Sequence, residues 1–477
     1  MPVAAAFRLD NRFRALGPEF ADPVEPAGFP ETTLRFRNSR IARRVGLDTL
    51  TDAEWVAIFG RFEPLPGAPD ERLAMRYHGH QFQVYNPELG DGRGFLFAQL
   101  REAGTERLLD LGTKGSGQTP WSRSGDGRLT LKGGVREILA TEMLEALGVP
   151  TSKSLSLIET GEKLARGDEP SPTRSAVLTR LSWSHVRFGT FQRLAYFDRA
   201  DLIGQLIDHV IELYYPELAD TEPKDRPAAL LRAVTARVAG LVARWTGAGF
   251  VHGVLNTDNM NITGESFDYG PWRFLPRYDP SFTAAYFDHA GLYAFGRQGE
   301  AVFWNLRQLA ACFTLVSETD PLVEALNGFG ELYQAEMRAA FVRRLGVSPR
   351  DEASDNALGT AALKLLSETG DALRWEPLFF DWFGGLASEA RAMAGPRAAV
   401  YAGEAFDAFR AALAPYAADR PQRLQHAYFQ RAEPEEMLIE EVEAIWAGID
   451  ARDDWSALHA KLARIGEARE AWGIAVP

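Results

Sequence analysis

The chain has 477 residues, 46% of them hydrophobic and 25% charged, and a formal net charge of −13. That length is too great for one compact core, so two or more packed units are expected, with the composition of a soluble globular protein. The acidic balance argues against a nucleic-acid partner, no apolar run is long enough for a membrane span, and a single cysteine, Cys312, excludes an internal disulfide. The first residues also lack the apolar segment of a secretory signal. A cytoplasmic protein that touches neither membrane nor nucleic acid is the expectation.

Residues 1–70 are rich in Pro, Arg and Phe and show little periodicity. They read as an extension, taken as 1–76, that packs on the remainder. From 77 to 187 short apolar runs alternate with Gly-rich turns: "GFLFAQL", "RLLDLGT", "SLSLIET" and "SAVLTRLSW". These predict strands. One helix interrupts them, "VREILATEMLEALGVP", with Val135, Leu139, Met143 and Leu147 near helical spacing and a stop at Gly148 and Pro150.

After about residue 198 the chain reads as helical. "LLRAVTARVAGLVARW" puts Leu230, Val234, Val238, Leu241 and Trp245 on one face, and Gly247 and Gly249 end it. Cys312 lies in another apolar helical run, "NLRQLAACFTLV", and reads as a buried small hydrophobe.

The stretch after the long helix, "HGVLNTDNMNI", carries chemistry. His252, Leu255 and Asn259 fall at the offsets of the protein-kinase loop H-R-D-L-x-x-x-N. The position of the kinase base, however, holds Val254, which accepts no proton. Asp258 is the neighbouring carboxylate able to replace it, or else an Asx-turn residue. Asp268 in "FDYGP" stands like the Asp-Phe-Gly metal ligand, with Tyr269 in place of Phe. Oxygen ligands of this kind, Asn259 and Asp268, suit Mg²⁺ shared with phosphates. A strand-rich half before a helical half is the order of a two-lobed protein-kinase-like fold of the α+β class. The strand-rich N-lobe is then 77–197 and the helical C-lobe 198–477, with a catalytic loop at 252–270.

The other parts of such a site appear upstream. "LGDGRG", with Gly90, Gly92 and Arg93, is a candidate cover over phosphates, although Gly-Asp-Gly is also the sequence of a plain hairpin turn. Asp91 within it would repel a triphosphate, with Arg93 placed to offset it. Lys114 follows at the spacing of a return strand and Glu137 lies on the next helix. Together they specify an ion pair that aims an ammonium at a phosphate; separately they are a turn lysine and a solvated helix charge. "KGSGQTPWSRSGDGR" between them is a long loop with a second Gly-Asp-Gly at Gly125, Asp126 and Gly127. Arg180 and Arg187 are suited to phosphate oxygens. His78 and His80 form a His-x-His pair that reads as structural, because no third ligand sits at metal spacing.

Taken together, "YHGHQF", "LGDGRG", "KGSGQTPWSRSGDGR", "VREILATEMLEALGVPTSKSL", "SHVRFGTF", "HGVLNTDNMNI" and "DYGP" resemble the selenoprotein O family, in its order, from residue 77 to 270. The resemblance implies a kinase-like fold that transfers AMP from ATP to Ser, Thr or Tyr hydroxyls of proteins and releases pyrophosphate, with the nucleotide bound flipped relative to a kinase. It implies Gly90, Gly92, Arg93, Lys114, Asp126, Gly127, Arg180, Arg187 and Asp268 as nucleotide contacts. Glu137 then holds Lys114, Asn259 and Asp268 bind Mg²⁺ (or Mn²⁺ in its place), and Asp258 takes the proton. Protein substrates, the chain itself as one candidate, are the implied partners. A conventional protein kinase and a non-catalytic nucleotide-binding scaffold are the rival readings. The chain departs from many family members in having no cysteine near its end, "EAWGIAVP", where they carry a cysteine or selenocysteine.

Overall fold

The computed structural model describes residues 3–167 and 169–476. The stretch left without elements by the sequence holds β1 (Ala21–Val24), β2 (Thr33–Arg37), α1 (Ser39–Arg44), α2 (Asp52–Gly60) and β3 (Arg72–Met75). Periodicity hides α2, but its start is chemically marked: Thr51 accepts from the Glu54 N–H while the Glu54 carboxylate accepts from the Thr51 N–H, a capping box. A short hairpin of β4 (Gly79–Gln81) and β5 (Val84–Asn86) follows.

The runs predicted as strands form β6 (Leu96–Arg101), β7 (Leu108–Lys114), β9 (Lys153–Leu164) and β10 (Thr173–Ser182), with the short β8 (Leu129–Thr130) between. The eight strands make one antiparallel sheet in the order β1-β3-β6-β7-β10-β9-β2, with β8 added on β10. The residues before 76 thus supply both ends of the sheet. One sheet face is covered by α2, whose Trp55 donates to Ser156 Oγ at 2.8 Å within a cluster that includes Phe59, Phe62 and Phe97.

The predicted helix is α3 (Leu131–Ala146), and it lies on the other sheet face. Val135, Leu139, Met143 and Leu147 are all buried, as the spacing requires. Its far side is buried as well, because the C-terminal helix Ser456–Trp472 packs there and Arg469 pairs with Glu142. That is why Glu142 and Glu145 are buried carboxylates rather than solvated ones; Glu137, buried too, pairs with Lys114 of β7 instead.

The second part of the chain is helical. It contains α4 (Phe188–Tyr196), α5 (Ala200–Tyr214) and α6 (Arg226–Gly247), then the two-residue strands β11 (Phe250–Val251) and β12 (Arg273–Phe274), and α7 (Gln298–Phe313) with further helices beyond. The predicted face of α6 is buried against its neighbours along its whole length. Cys312 is buried in α7, where burial pushes its thiol up to about 12. Among the described residues no helix is long and apolar enough to cross a membrane.

β11 and β12 pair antiparallel and close a loop. All residues from 252 to 270 hang between them. Residues of the central strands β7 and β10 and residues of that loop line one cleft.

Candidate active site

The cleft has a volume of about 610 Å³ and is lined from both parts of the chain. Its floor is built around Asp268. Lys114, the last residue of β7, places Nζ 3.0 Å from Asp268 Oδ1 and also pairs with Glu137 of α3. Arg180 of β10 donates to the same oxygen at 3.4 Å, and Arg187 lies 3.7 Å from Oδ2. Burial would raise this carboxyl, but Lys114, Arg180, Arg187 and Arg93 together hold it well below the usual carboxylate range. It is therefore ionised at all working pH. Asp268 itself has φ +65°, an uncommon left-handed conformation for a residue with a side chain. Its neighbour Tyr269 anchors it, bonding through its hydroxyl to Thr151 and to Ser266 Oγ at 2.8 Å. A Phe at 269 could make neither bond.

Asp258 and Asn259 sit in a 3₁₀ turn, Thr257–Asn259. Asn259 Nδ2 donates to Asp268 Oδ2 at 3.2 Å, while Asn259 Oδ1 is buried with no hydrogen-bond partner among the described residues. Asp258 Oδ1 is likewise buried and without a partner among the described residues. Burial pushes the Asp258 carboxyl up to about 6, against the pull of Arg187. Two neighbouring acids thus have opposite character: one locked as an anion, one poised to exchange a proton near neutrality. His252 plays no part in proton chemistry here. It is fully buried, its burial lowers its basicity, and its Nε2 lies 3.2 Å from the Phe267 carbonyl.

Arg187 ties the cleft together. It donates to the Asp258 carbonyl at 2.9 Å and to Asp91 Oδ1 at 3.3 Å, and its guanidinium lies between the rings of Tyr77 and Phe267. Sequence reasoning assigned Arg93 to offset Asp91; the structure gives that role to Arg187. Asp91 also accepts from the Met75 N–H at 3.1 Å, so both of its carboxylate oxygens have protein partners although the residue borders the cleft.

The two Gly-rich loops are clasped. Thr119 Oγ1 donates to the Asp91 carbonyl at 2.6 Å, Ser122 Oγ to the Gly92 carbonyl at 2.5 Å, and Trp121 Nε1 to Asp22 Oδ2 at 2.8 Å. A Cβ at Gly90 would stand 2.3 Å from the Trp121 ring, and one at Gly92 2.8 Å from the Trp121 carbonyl. These glycines are thus needed for loop-on-loop packing as well as lining the cleft. Asp126 and Gly127 line it too; Asp126 forms two bonds, 2.8 and 3.0 Å, with Arg166 from the β9–β10 hairpin.

Every nucleotide-contact residue expected from the sequence borders this one cleft, with Glu137 behind Lys114 and Asn259 behind Asp268. Sequence reasoning did not find Tyr77, Trp121, Arg123 or Arg166, which line it as well. An aromatic and two arginines flanking a Gly-Ser loop were the available signal. His78 and His80 have protein partners: Tyr85 hydroxyl at 2.8 Å for the first, Gln192 Nε2 at 2.7 Å for the second.

The sequence as a whole also has known relatives. The family profile described as "Protein adenylyltransferase SelO" matches residues 4–466. A "Protein nucleotidyltransferase YdiU" of Gloeobacter violaceus is 46% identical over 471 residues, covering 97% of this chain and 95% of that protein. Proteins of the same description from Synechococcus elongatus and Pseudomonas putida are 55% identical over 336 residues and 42% identical over 365 residues. These cover 70% and 76% of this chain, and 67% and 73% of the relatives.

Proposed function

The chain belongs to the SelO family of protein adenylyltransferases, enzymes that use ATP to modify proteins, and on that premise we propose that its cleft binds ATP flipped and transfers AMP to a hydroxyl. The scaffold on this reading is a two-lobed, protein-kinase-like fold: an extension 1–76, an N-lobe 77–197 and a C-lobe 198–477 that holds the loop 252–270. The setting is cytoplasmic.

One observation carries the reading. Three cations converge on Asp268 while two buried side-chain oxygens beside it, of Asp258 and Asn259, have no partner among the described residues. Among the described residues nothing satisfies those oxygens, and buried polar atoms without partners are costly. The donor set is all oxygen, which fits Mg²⁺ or Mn²⁺ held by Asn259 Oδ1 and the Asp268 carboxylate and shared with phosphate. Among the described residues no group of three or more His, Cys, Asp or Glu forms a cage for such an ion. When bound, the cation neutralises triphosphate charge.

The chain's own residues do the rest. Lys114, oriented by Glu137, and Arg180 and Arg187, held by aromatic rings, are preorganised donors for the charge that develops on the leaving pyrophosphate. Arg93, Gly90, Gly92, Asp126 and Gly127 border the space the nucleotide takes. A Ser, Thr or Tyr hydroxyl oxygen of the acceptor, the chain itself included, bonds to the α-phosphorus. The bond from that phosphorus to the bridging oxygen breaks, and pyrophosphate leaves. The hydroxyl proton passes to Asp258, whose carboxyl is tuned for it. Val254 cannot act as base, and in a flipped nucleotide the kinase base position faces the wrong phosphate.

The test is labelled ATP. Label at the α-phosphate is expected on protein acceptors, with a mass gain of AMP, and label at the γ-phosphate is expected in free pyrophosphate. Transfer of the γ-label to protein would overturn the reading.

A further inference from the structure

The His78 and His80 pair in "YHGHQF" reads as structural, yet the hairpin that begins there sits on the catalytic turn. The His80 N–H donates to Thr257 Oγ1 at 2.7 Å, and the Phe82 N–H donates to Asn256 Oδ1 at 3.0 Å. Thr257 in turn donates to Gln192 Oε1 at 2.6 Å, and Gln192 Nε2 donates back to His80 Nδ1. Gly79 lies so close that a Cβ there would stand 3.0 Å from Asp258 Oδ1. One edge of β4 is thereby spent on the loop that carries Asp258.

The turn of the hairpin is strained. Phe82 and Gln83 both have positive φ, +49° and +63°. Left-handed backbone is unfavourable for a residue with a side chain. The Phe82 ring packs on Tyr293 and Phe287, at 5.0 and 5.8 Å between centroids, which holds the turn in place.

The outside of the hairpin is different. Eight large hydrophobic side chains are exposed among the described residues, and five lie here: Val84, Tyr196, Phe197, Tyr286 and Phe287, between 42% and 78% exposed. Ring contacts gather the aromatic ones into two groups, one at each end of the hairpin, and Val84 lies on β5. Phe197 touches Tyr196, which stacks on Tyr85 of β5 at 5.7 Å; at the other end of the hairpin Phe287 joins Phe82 to Tyr286. β5 pairs with β4 and carries no strand on its outer edge among the described residues. An exposed apolar patch of this kind beside an open strand edge marks an interaction surface.

We propose that the β4–β5 hairpin and its flanking aromatic side chains receive an extended, apolar segment of the acceptor protein and lead its hydroxyl to Asp258. The proposal rests on the reading of the cleft as an AMP-transfer site. The occupant follows from position and chemistry. Gln81 lines the nucleotide cleft while its cross-strand partner Val84 faces solvent, so the hairpin is continuous with the cleft and bridges it to the ledge. The cations gather on the cleft side around Asp268, and the five exposed side chains of the ledge carry no charge. An extended chain can add its backbone to β5 and rest apolar side chains on Tyr196, Phe197 and Val84.

Two synthetic peptides test this, each with the same Ser, Thr and Tyr acceptors, one flanked by Leu and Val and the other by Gly and Asn. α-Label transfer is followed against peptide concentration with the full chain. The wild type is expected to favour the apolar peptide about tenfold in kcat/KM. Val84→Glu combined with Phe197→Glu should lose that preference through KM, while ATP raises the melting temperature of variant and wild type equally. In a second measurement on the wild type, a benzoylphenylalanine replacing Leu should cross-link within 82–86, 196–197 or 286–287. Equal use of both peptides by the wild type, or preference kept by the variant, overturns the docking surface and leaves the transfer chemistry standing. So do cross-links elsewhere, or cross-links between two copies of the chain at this ledge. Failure of the wild type to pass α-label to either peptide overturns the transfer reading, and this proposal with it.

Discussion

Lys114 Nζ lies 3.0 Å from Asp268 Oδ1, although the two residues come from different parts of the chain, the last position of β7 and the loop before β12. The contact places the ammonium, already held by buried Glu137, directly on the anion that Arg180 and Arg187 share. Removing either end should cost more than one hydrogen bond, because the others then lose their common partner.

Asp268→Ala is expected to abolish α-label transfer. Lys114→Ala should lower kcat about 10²–10³-fold, as loss of a preorganised donor does. Chelation of divalent cations should stop transfer by the wild type, and added Mg²⁺ should restore it. Full labelling by the Asp268 variant is the outcome that removes Asp268 from the site.

Asp258→Asn keeps the shape of the turn and removes the proton acceptor. Transfer should fall about 10²–10⁴-fold. For the wild type, kcat/KM should decline as pH falls through about 6, where the Asp258 carboxyl takes up its proton. The variant's residual activity should lack that acidic limb. A limb that persists in the variant assigns it to another group.

Gly90→Ala drives a methyl into the Trp121 ring. Overpacking of this sort costs about 1–3 kcal/mol. Unfolding by denaturant should show that loss. Trp121→Ala combined with Gly90→Ala should be less destabilised than the sum of the single changes, because the clash partner is gone. Strict additivity would mean that the loops do not press on each other.

His209 of α5 is buried beside Phe13, with Nε2 lacking a partner among the described residues, and burial lowers its pKa from 6.5 to about 4; Asp110 and Glu212 oppose the shift and Arg12 adds to it. The unfolded chain therefore takes up a proton at higher pH than the folded one. Stability is full above 6.5 and declines as pH falls toward 4, by up to about 3 kcal/mol. His209→Phe should flatten this part of the stability profile, measured by urea unfolding between about pH 7 and about pH 5. An unchanged slope would show that the imidazole is not the group responsible.

The order of elements and most of the cleft were legible in the chain itself. Strands β6, β7, β9 and β10 and the helices α3 and α6 announce themselves through local periodicity, and the loop 252–270 through fixed offsets between polar residues. Lys114, Glu137, Asn259 and Asp268 were assigned jointly because their spacing matched one constellation. The strands before residue 76 were not legible: β1 and β2 are short, carry Pro or Arg, and exist only because a sheet edge is there to pair with. The partners of Asp91 and Asp126 were equally hidden, since Arg187 and Arg166 lie 96 and 40 residues away.

Sequence alone therefore determined which residue types meet at the cleft and in what order they arrive. Tertiary structure decided their charge states and their pairings: that Asp268 is locked as an anion while Asp258, ten residues earlier, is poised near neutrality, and that a hairpin read as scaffolding faces outward with an aromatic ledge. Periodicity and motifs are properties of neighbours along the chain. Burial, and the sum of charges from distant strands and helices, are properties of space, and a carboxyl's proton affinity answers to those.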